Sequence, residues 1–224
     1  MKILVTGGLG FIGSAFIRMV LSECPGVEVA NLDAVTYAGN PENLRDVAQD
    51  SRYTFYRASI EDRKAVECIY SEVRPDVLVH FAAESHVDRS IHSPEAAINT
   101  NLLGTFTLLE ACRQHKTARV VHVSTDEVYG SIDEPFEADE AYPLCASSPY
   151  SASKAGSDLL ALSYHTTYNM NISVTRASNN YGPFQFPEKL IPLMIANALE
   201  GKPLPVYGNG MQIRDWLYVD DHCR

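Results

Sequence analysis

The chain has 224 residues, of which 46% are hydrophobic, and its 18 Lys and Arg face 28 Asp and Glu for a net charge of -10. That is enough apolar content for one domain, or one and a part, with a sizeable core, and the acidic balance argues against a general nucleic-acid or anionic-membrane binder, because neutralising phosphates needs a basic face. Cys24, Cys68, Cys112, Cys145 and Cys223 are scattered and form no CxxC pair, so neither a disulfide frame nor a metal site is expected, and a reduced, cytoplasmic setting is.

From the start, "MK" runs directly into an apolar stretch. There is no signal-type region, and the apolar runs are too short to cross a bilayer. In chain order, short β-branched runs occur at 2–6, 27–32, 53–58, 76–81, 119–124 and 172–177. Amphipathic patterns near 11–22, 62–73, 94–114, 150–168 and 188–200 alternate with them. This rhythm predicts an α/β fold, a doubly wound parallel sheet covered by helices on both faces. Two helix starts are marked by a capping serine and a proline, Ser93-Pro94 and Ser148-Pro149. Beyond residue 181 the texture becomes rich in Pro, Gly and aromatics, as in loops built over a site. The expected division is a dinucleotide-binding domain over 1–178 and part of a ligand-binding region over 179–224. The chain stops at "VDDHCR", where a helix should begin, which reads as a cut.

The first strand leads into "LVTGGLGFIGS". Glycines at 7, 10 and 13 suit a tight turn, a close backbone approach to a pyrophosphate, and helix–sheet packing, with free amides at the helix start to hold the phosphates. The letters also fit GxGxxG through Gly8, Gly10 and Gly13, so pattern alone leaves the register open. Asp33 ends the second strand twenty residues past Gly13; an acid there binds a ribose hydroxyl and favours NAD over NADP.

Further along, "SSPYSASKAGS" sets Tyr150 and Lys154 four residues apart, on one face of a helix. A cation so placed is expected to lower the phenol's pKa and prepare it to take a proton from a sugar hydroxyl. Just upstream, "STDEVYG" puts two acids, Asp126 and Glu127, side by side. Neighbours on a strand point to opposite faces, so both acids reach one ligand only if the backbone turns there.

Together with "AAESHVDRSI", "PYSASKA", "NNYGP", "FPEKLIPL" and "IRDW", these runs resemble the extended short-chain dehydrogenase/reductases acting on nucleotide sugars, and more closely their 4,6-dehydratases, since epimerases and reductases generally lack the Asp-Glu pair. The resemblance covers the whole chain. It implies an NAD-dependent hydro-lyase that turns dTDP-glucose into its 4-keto-6-deoxy derivative; UDP- or CDP-glucose as substrate, and a non-catalytic NAD-binding module, are the alternatives. It implies Thr125, Asp126, Glu127, Tyr150 and Lys154 as catalytic, with Asp126 the acid that protonates the departing C6 hydroxyl and Glu127 the base at C5. Implied cofactor contacts are Gly7, Gly10, Phe11, Ile12 and Gly13; Asp33, Ala34, Val35 and Thr36; Ser59 and Ile60; Phe81, Ala82, Ala83 and Ser85; and Thr100, Tyr150, Lys154 and Asn180. Implied substrate contacts are Ser85, Thr125, Asn179, Lys189, Leu190, Pro205, Tyr207 and Arg214.

The sequence departs from the family in two ways. Ser59 stands where an aspartate usually caps the adenine amine, so weaker adenine binding is expected. Members also continue for roughly another hundred residues, so the chain is expected to bind NAD better than it turns over. A homodimer through helices 94–114 and 150–168 is implied as well. His80 and His122, inside strands, are expected to be packed core histidines.

Overall fold

The protein is described by a computed structural model that covers residues 1–133, 135–206 and 208–224. In chain order the elements are β1 (Lys2–Thr6), α1 (Phe11–Glu23), β2 (Glu28–Asp33), β3 (Tyr53–Arg57), α2 (Arg63–Val73), β4 (Val77–His80), α3 (Val87–His92), α4 (Pro94–Ala97), α5 (Thr105–His115), β5 (Arg119–Thr125), α6 (Pro149–Tyr168), β6 (Ile172–Ala177), β7 (Asn179–Tyr181), α7 (Leu190–Leu199), β8 (Trp216–Tyr218) and α8 (Val219–Cys223). A π-helical turn, Ile98–Gly104, joins α4 to α5, so the helix expected over 94–114 is continuous but underwound in its first half. α3 was not foreseen.

Six strands pair in parallel in the order β3-β2-β1-β4-β5-β6. This is the doubly wound arrangement, with its switch point between β1 and β4. Alternation along β1 explains the two cores: Ile3 and Val5 join Ile17, Val20 and Leu21 of α1, while Leu4 joins Tyr70 of α2, Leu108 of α5 and Ala161 of α6. Both faces are thus covered, which is why the strands read as nearly unbroken apolar runs.

The large sheet ends with Ala177, and β7 and β8 form a separate two-stranded parallel ladder. α8 then packs back on α1, where the Cys223 thiol meets the Ile12 carbonyl and Arg224 meets Glu23 at 3.2 Å. Among the described residues no helix is long and apolar enough to cross a membrane, and all five cysteines are free.

Candidate active site

One cleft opens along the carboxyl ends of the parallel strands. On its β1 side, Gly7 turns left-handed (φ 72°), and a Cβ there would lie 2.6 Å from the Ala82 amide nitrogen. A Cβ on Gly13 would lie 2.3 Å from the Gly7 carbonyl oxygen. Gly10 caps α1 without a side chain, and the first turn carries no acid, so the amides at this helix start face the cleft uncontested. Gly7, Gly10, Phe11, Ile12 and Gly13 all line it, whereas Gly8 sits behind, its N–H donated to Asn31 Oδ1 at 3.1 Å. That settles the register left open by the letters. A cradle this close and this rich in free N–H groups fits the pyrophosphate of a dinucleotide.

At the end of β2, Asp33 is nearly buried, and its two carboxylate oxygens accept the Leu9 N–H (2.9 Å) and the Val35 N–H (2.8 Å). Burial raises its pKa against those two hydrogen bonds. Ala34 and Thr36 line the cleft. Val35 does not; it adopts a left-handed backbone (φ 56°) and packs toward the α1 core. A β-branched residue held at positive φ is strained, and here the strain closes the turn that Asp33 caps. Ser59, Ile60 and Thr100 form the next stretch of wall. The Ser59 hydroxyl is occupied locally, accepting the Glu61 N–H at 3.2 Å. Phe81, Ala82, Ala83 and Ser85 follow β4.

The acid pair lies where β5 ends. Thr125 caps a single 3-10 turn, Asp126–Tyr129, its hydroxyl accepting the Glu127 N–H (3.2 Å) and lying 3.3 Å from Asp126 Oδ1. The backbone therefore leaves the strand between Thr125 and Glu127. Asp126 lines the cleft, whereas Glu127 is not among its lining residues. Burial, then the charge of Glu127, pushes its pKa up, the direction an acid catalyst needs.

Tyr150 and Lys154 do share one face of α6, and both are buried, 8% and 4% exposed. The expected lowering of the phenol is not found. Burial drives the Tyr150 pKa well above its ordinary value, the Thr125 hydroxyl opposes this by hydrogen bonding, and Glu127, Asp126 and Asp158 add to the rise. The reason is where the ammonium goes: Lys154 Nζ donates to the Val123 carbonyl at 2.8 Å. Burial in turn brings the lysine down to about 8, with Asp158 resisting. His80 and His122 are buried as core histidines should be, and burial first of all lowers both pKa values.

The far wall comes from the last third of the chain. Asn179, Asn180, Lys189 and Leu190 line the cleft. Lys189 Nζ donates to the Ser85 carbonyl at 3.1 Å, and burial lowers its pKa against the charges of Glu188, Glu127 and Asp88. Pro205 and Arg214 are not part of the described wall; Arg214 is exposed, its guanidinium donating to the neighbouring Ile213 carbonyl. Tyr207 lies outside the described residues.

A family model described as GDP-mannose 4,6 dehydratase matches residues 4–224. The chain belongs to that family. Relatives in the GDP-mannose 4,6 dehydratase family include a dTDP-glucose 4,6-dehydratase of Neisseria meningitidis serogroup B, 54% identical over 100% of this chain and 65% of its own length. Another, from Shigella flexneri, is also 54% identical and is covered over 67% of its length. The chain thus spans about two thirds of the curated relatives it matches. Among solved structures, DesIV, a dTDP-glucose 4,6-dehydratase from Streptomyces venezuelae with NAD and dTDP bound, superposes with a TM-score of 0.95 at 52% identity, covering 100% of this chain and 70% of that one.

For a member of the GDP-mannose 4,6 dehydratase family, sequence reasoning missed several wall residues: Glu61, Gln185, Phe186, Glu188 and Trp216. It also missed Asn101. This residue is 1% exposed at the centre of the π turn, donating to the Glu84 carbonyl (3.0 Å) and Ser153 Oγ (2.9 Å) and accepting the Glu84 N–H (2.9 Å). A polar residue inside an apolar helical pattern was its only signal.

Proposed function

We propose that this protein is a dTDP-glucose 4,6-dehydratase that uses NAD, with 1–178 as the cofactor-binding domain and 179–224 as part of the nucleotide-sugar region. The observation that supports the reading is a cleft wall shared by the glycine cradle, Thr125, Asp126, Tyr150 and Lys154, with Glu127 next to Asp126 in the same 3-10 turn. The relatives named above support the choice of nucleotide and hexose.

The cofactor would be held by the glycine turn and α1 amides at its pyrophosphate, by Asp33 at a ribose, and by Lys154 and Tyr150 at its reactive end. When bound, NAD supplies a hydride acceptor for the hexose C4, returns that hydride at C6, and brings a positive charge that favours the phenolate. Tyr150 takes the proton of the C4 hydroxyl, held in line by the Thr125 hydroxyl. The resulting ketone acidifies the C5 proton. Glu127 removes that proton while Asp126 donates its own to the departing C6 hydroxyl, so the elements of water leave together. Lys189, the half-buried cation of this wall, is suited to the substrate diphosphate.

A homodimer is part of the same reading. The helical run from Pro94 to His115 exposes Ile98, Leu103 and Phe106, and α6 exposes Leu159 and Leu162, the apolar stripes a four-helix interface would cover. Five free cysteines are consistent with a reducing, cytoplasmic setting.

The test is a panel of dTDP-glucose, UDP-glucose, CDP-glucose and GDP-mannose, read by the alkali-induced ultraviolet absorbance of a 4-keto-6-deoxy sugar, with NAD binding followed separately. Absorbance with dTDP-glucose foremost is expected. Absorbance with another nucleotide alone would overturn the substrate, and NAD binding without product from any of the four would leave a binding module.

A further inference from the structure

Beneath the site lies a buried cluster that the reaction above does not use. Asp158 follows Tyr150 and Lys154 at the same four-residue spacing on α6, and its side chain is 0% exposed. Arg176 of β6 donates from Nε to Asp158 Oδ2 at 2.8 Å. The same guanidinium donates from Nη1 to the Tyr129 hydroxyl at 3.0 Å and lies 5.2 Å from the centre of that ring. Tyr129 is the last residue of the turn that bears Asp126 and Glu127.

We propose that Asp158 is a positioning residue for both halves of the chemistry: through α6 it anchors the charge of Lys154, and through Arg176 and Tyr129 it fixes the turn that carries the two acids. This rests on reading Lys154 and the acid pair as the reaction machinery. A merely structural ion pair is a weak explanation, since a buried pair is often replaced by apolar packing without loss of stability; nor does it explain why the carboxylate sits one turn past the lysine and two past the tyrosine.

The groups facing this cluster can be taken element by element. Tyr150 and Lys154 come from α6, His80 from β4, His122 from β5, with its Nε2 3.3 Å from Asp158 Oδ1, and Arg176 from β6. Asp126 and Glu127 come from the turn. Burial keeps both imidazoles neutral at pH 7, their pKa values being lowered. Asp158 is therefore ion-paired with Arg176 at 2.8 Å, while Lys154, one turn earlier on α6 with its ammonium on the Val123 carbonyl, feels the carboxylate through space. Removing the carboxylate leaves Lys154 buried beside an unpaired guanidinium. Removing the guanidinium leaves Lys154 the whole of the carboxylate.

Two substitutions should thus move the lysine in opposite directions, which a structural role does not require. The experiment is a pH titration of the Lys154 side-chain carbon signal in lysine-labelled protein, assigned by its loss in Lys154→Met, with neither cofactor nor substrate present. Asp158→Asn should lower the Lys154 midpoint by ~1–2 pH units, and Arg176→Gln should raise it. If one variant does not fold, the other still decides this arm. For the second arm, Tyr129→Phe removes one hydroxyl and should let the Asp126 carboxyl midpoint fall, read in aspartate-labelled protein, without moving Lys154. An unmoved Lys154 midpoint in Asp158→Asn or Arg176→Gln overturns the first arm, and an unmoved Asp126 midpoint in Tyr129→Phe overturns the second. Because no turnover is read, failure here is distinct from failure of the proposed activity.

Discussion

Replacing Lys154 with Met should make the protein more stable while removing its activity. The lysine is buried, and its pKa falls from 10.5 to about 8, chiefly through burial. That drop corresponds to ~3 kcal/mol by which the folded state disfavours the ammonium at neutral pH. Methionine of similar length carries no such penalty, but it leaves the Val123 carbonyl, which accepts from Nζ at 2.8 Å, without its donor, at a cost of ~1–3 kcal/mol. The net gain at pH 7 is up to ~2 kcal/mol, or up to ~8 °C in Tm for a chain of this size. The sign of the pH dependence follows from the same values. Between about 8 and 10.5 the unfolded chain holds a proton that the folded one has lost, so wild-type stability rises with pH across that window and is flat below it. The methionine variant lacks this contribution, which grows by ~1.4 kcal/mol per pH unit, so its advantage should shrink above pH 8 and be reversed by about pH 9.5. Urea unfolding of both proteins from pH 7 to pH 10 measures the difference directly. A variant less stable than wild type at pH 7, by an amount that does not change up to pH 10, would refute the reasoning.

Gly7→Ala combines a left-handed backbone with a Cβ 2.6 Å from the Ala82 amide nitrogen; thermal unfolding should show a loss of ~2–4 kcal/mol, and titration with NAD at least a ~10-fold weaker affinity. Tyr150→Phe removes the proton acceptor and should lower kcat by ~10²–10⁴, a far larger loss than the change in NAD affinity followed by fluorescence. Asp126→Asn should lower product formation by a similar ~10²–10⁴ while hydride removal from C4 stays visible as the near-ultraviolet absorbance of reduced cofactor; loss of both together contradicts the division of roles.

The fold was legible because its signals are local and repeated. Six strands, the central ones buried on both faces, read as short β-branched runs, and Ser148-Pro149 starts α6 with a capping box. The cofactor side of the site was legible for a related reason: a glycine turn and an acid at the end of the next strand have fixed places in a doubly wound sheet. What escaped depends on tertiary contacts. The π turn exists because Asn101 reaches Glu84 and Ser153, partners 17 and 52 residues away, and no local pattern encodes that. Val35 turns left-handed against its own β-branched preference because Asp33 holds its amide. The phenol's pKa was misjudged since spacing placed Lys154 on the right face of α6 but could not tell that its ammonium is committed to Val123. Arg214 was assigned through the resemblance, and its guanidinium donates to its own neighbour's carbonyl.

The strand order also sets when the molecule can assemble. β1 pairs with β2 on one side but meets its other neighbour, β4, only through Ile3↔Val77 and the pairs that follow. On a ribosome adding 5–20 residues per second, the about 20 residues between β3 and β4 take ~1–4 s to emerge, and throughout that time the β3-β2-β1 half exposes an apolar, unpaired β1 edge of the kind that templates aggregation. The seam where the cleft opens is thus the last in the first half of the chain to close, and its β1 edge stays open to other chains for those seconds of synthesis.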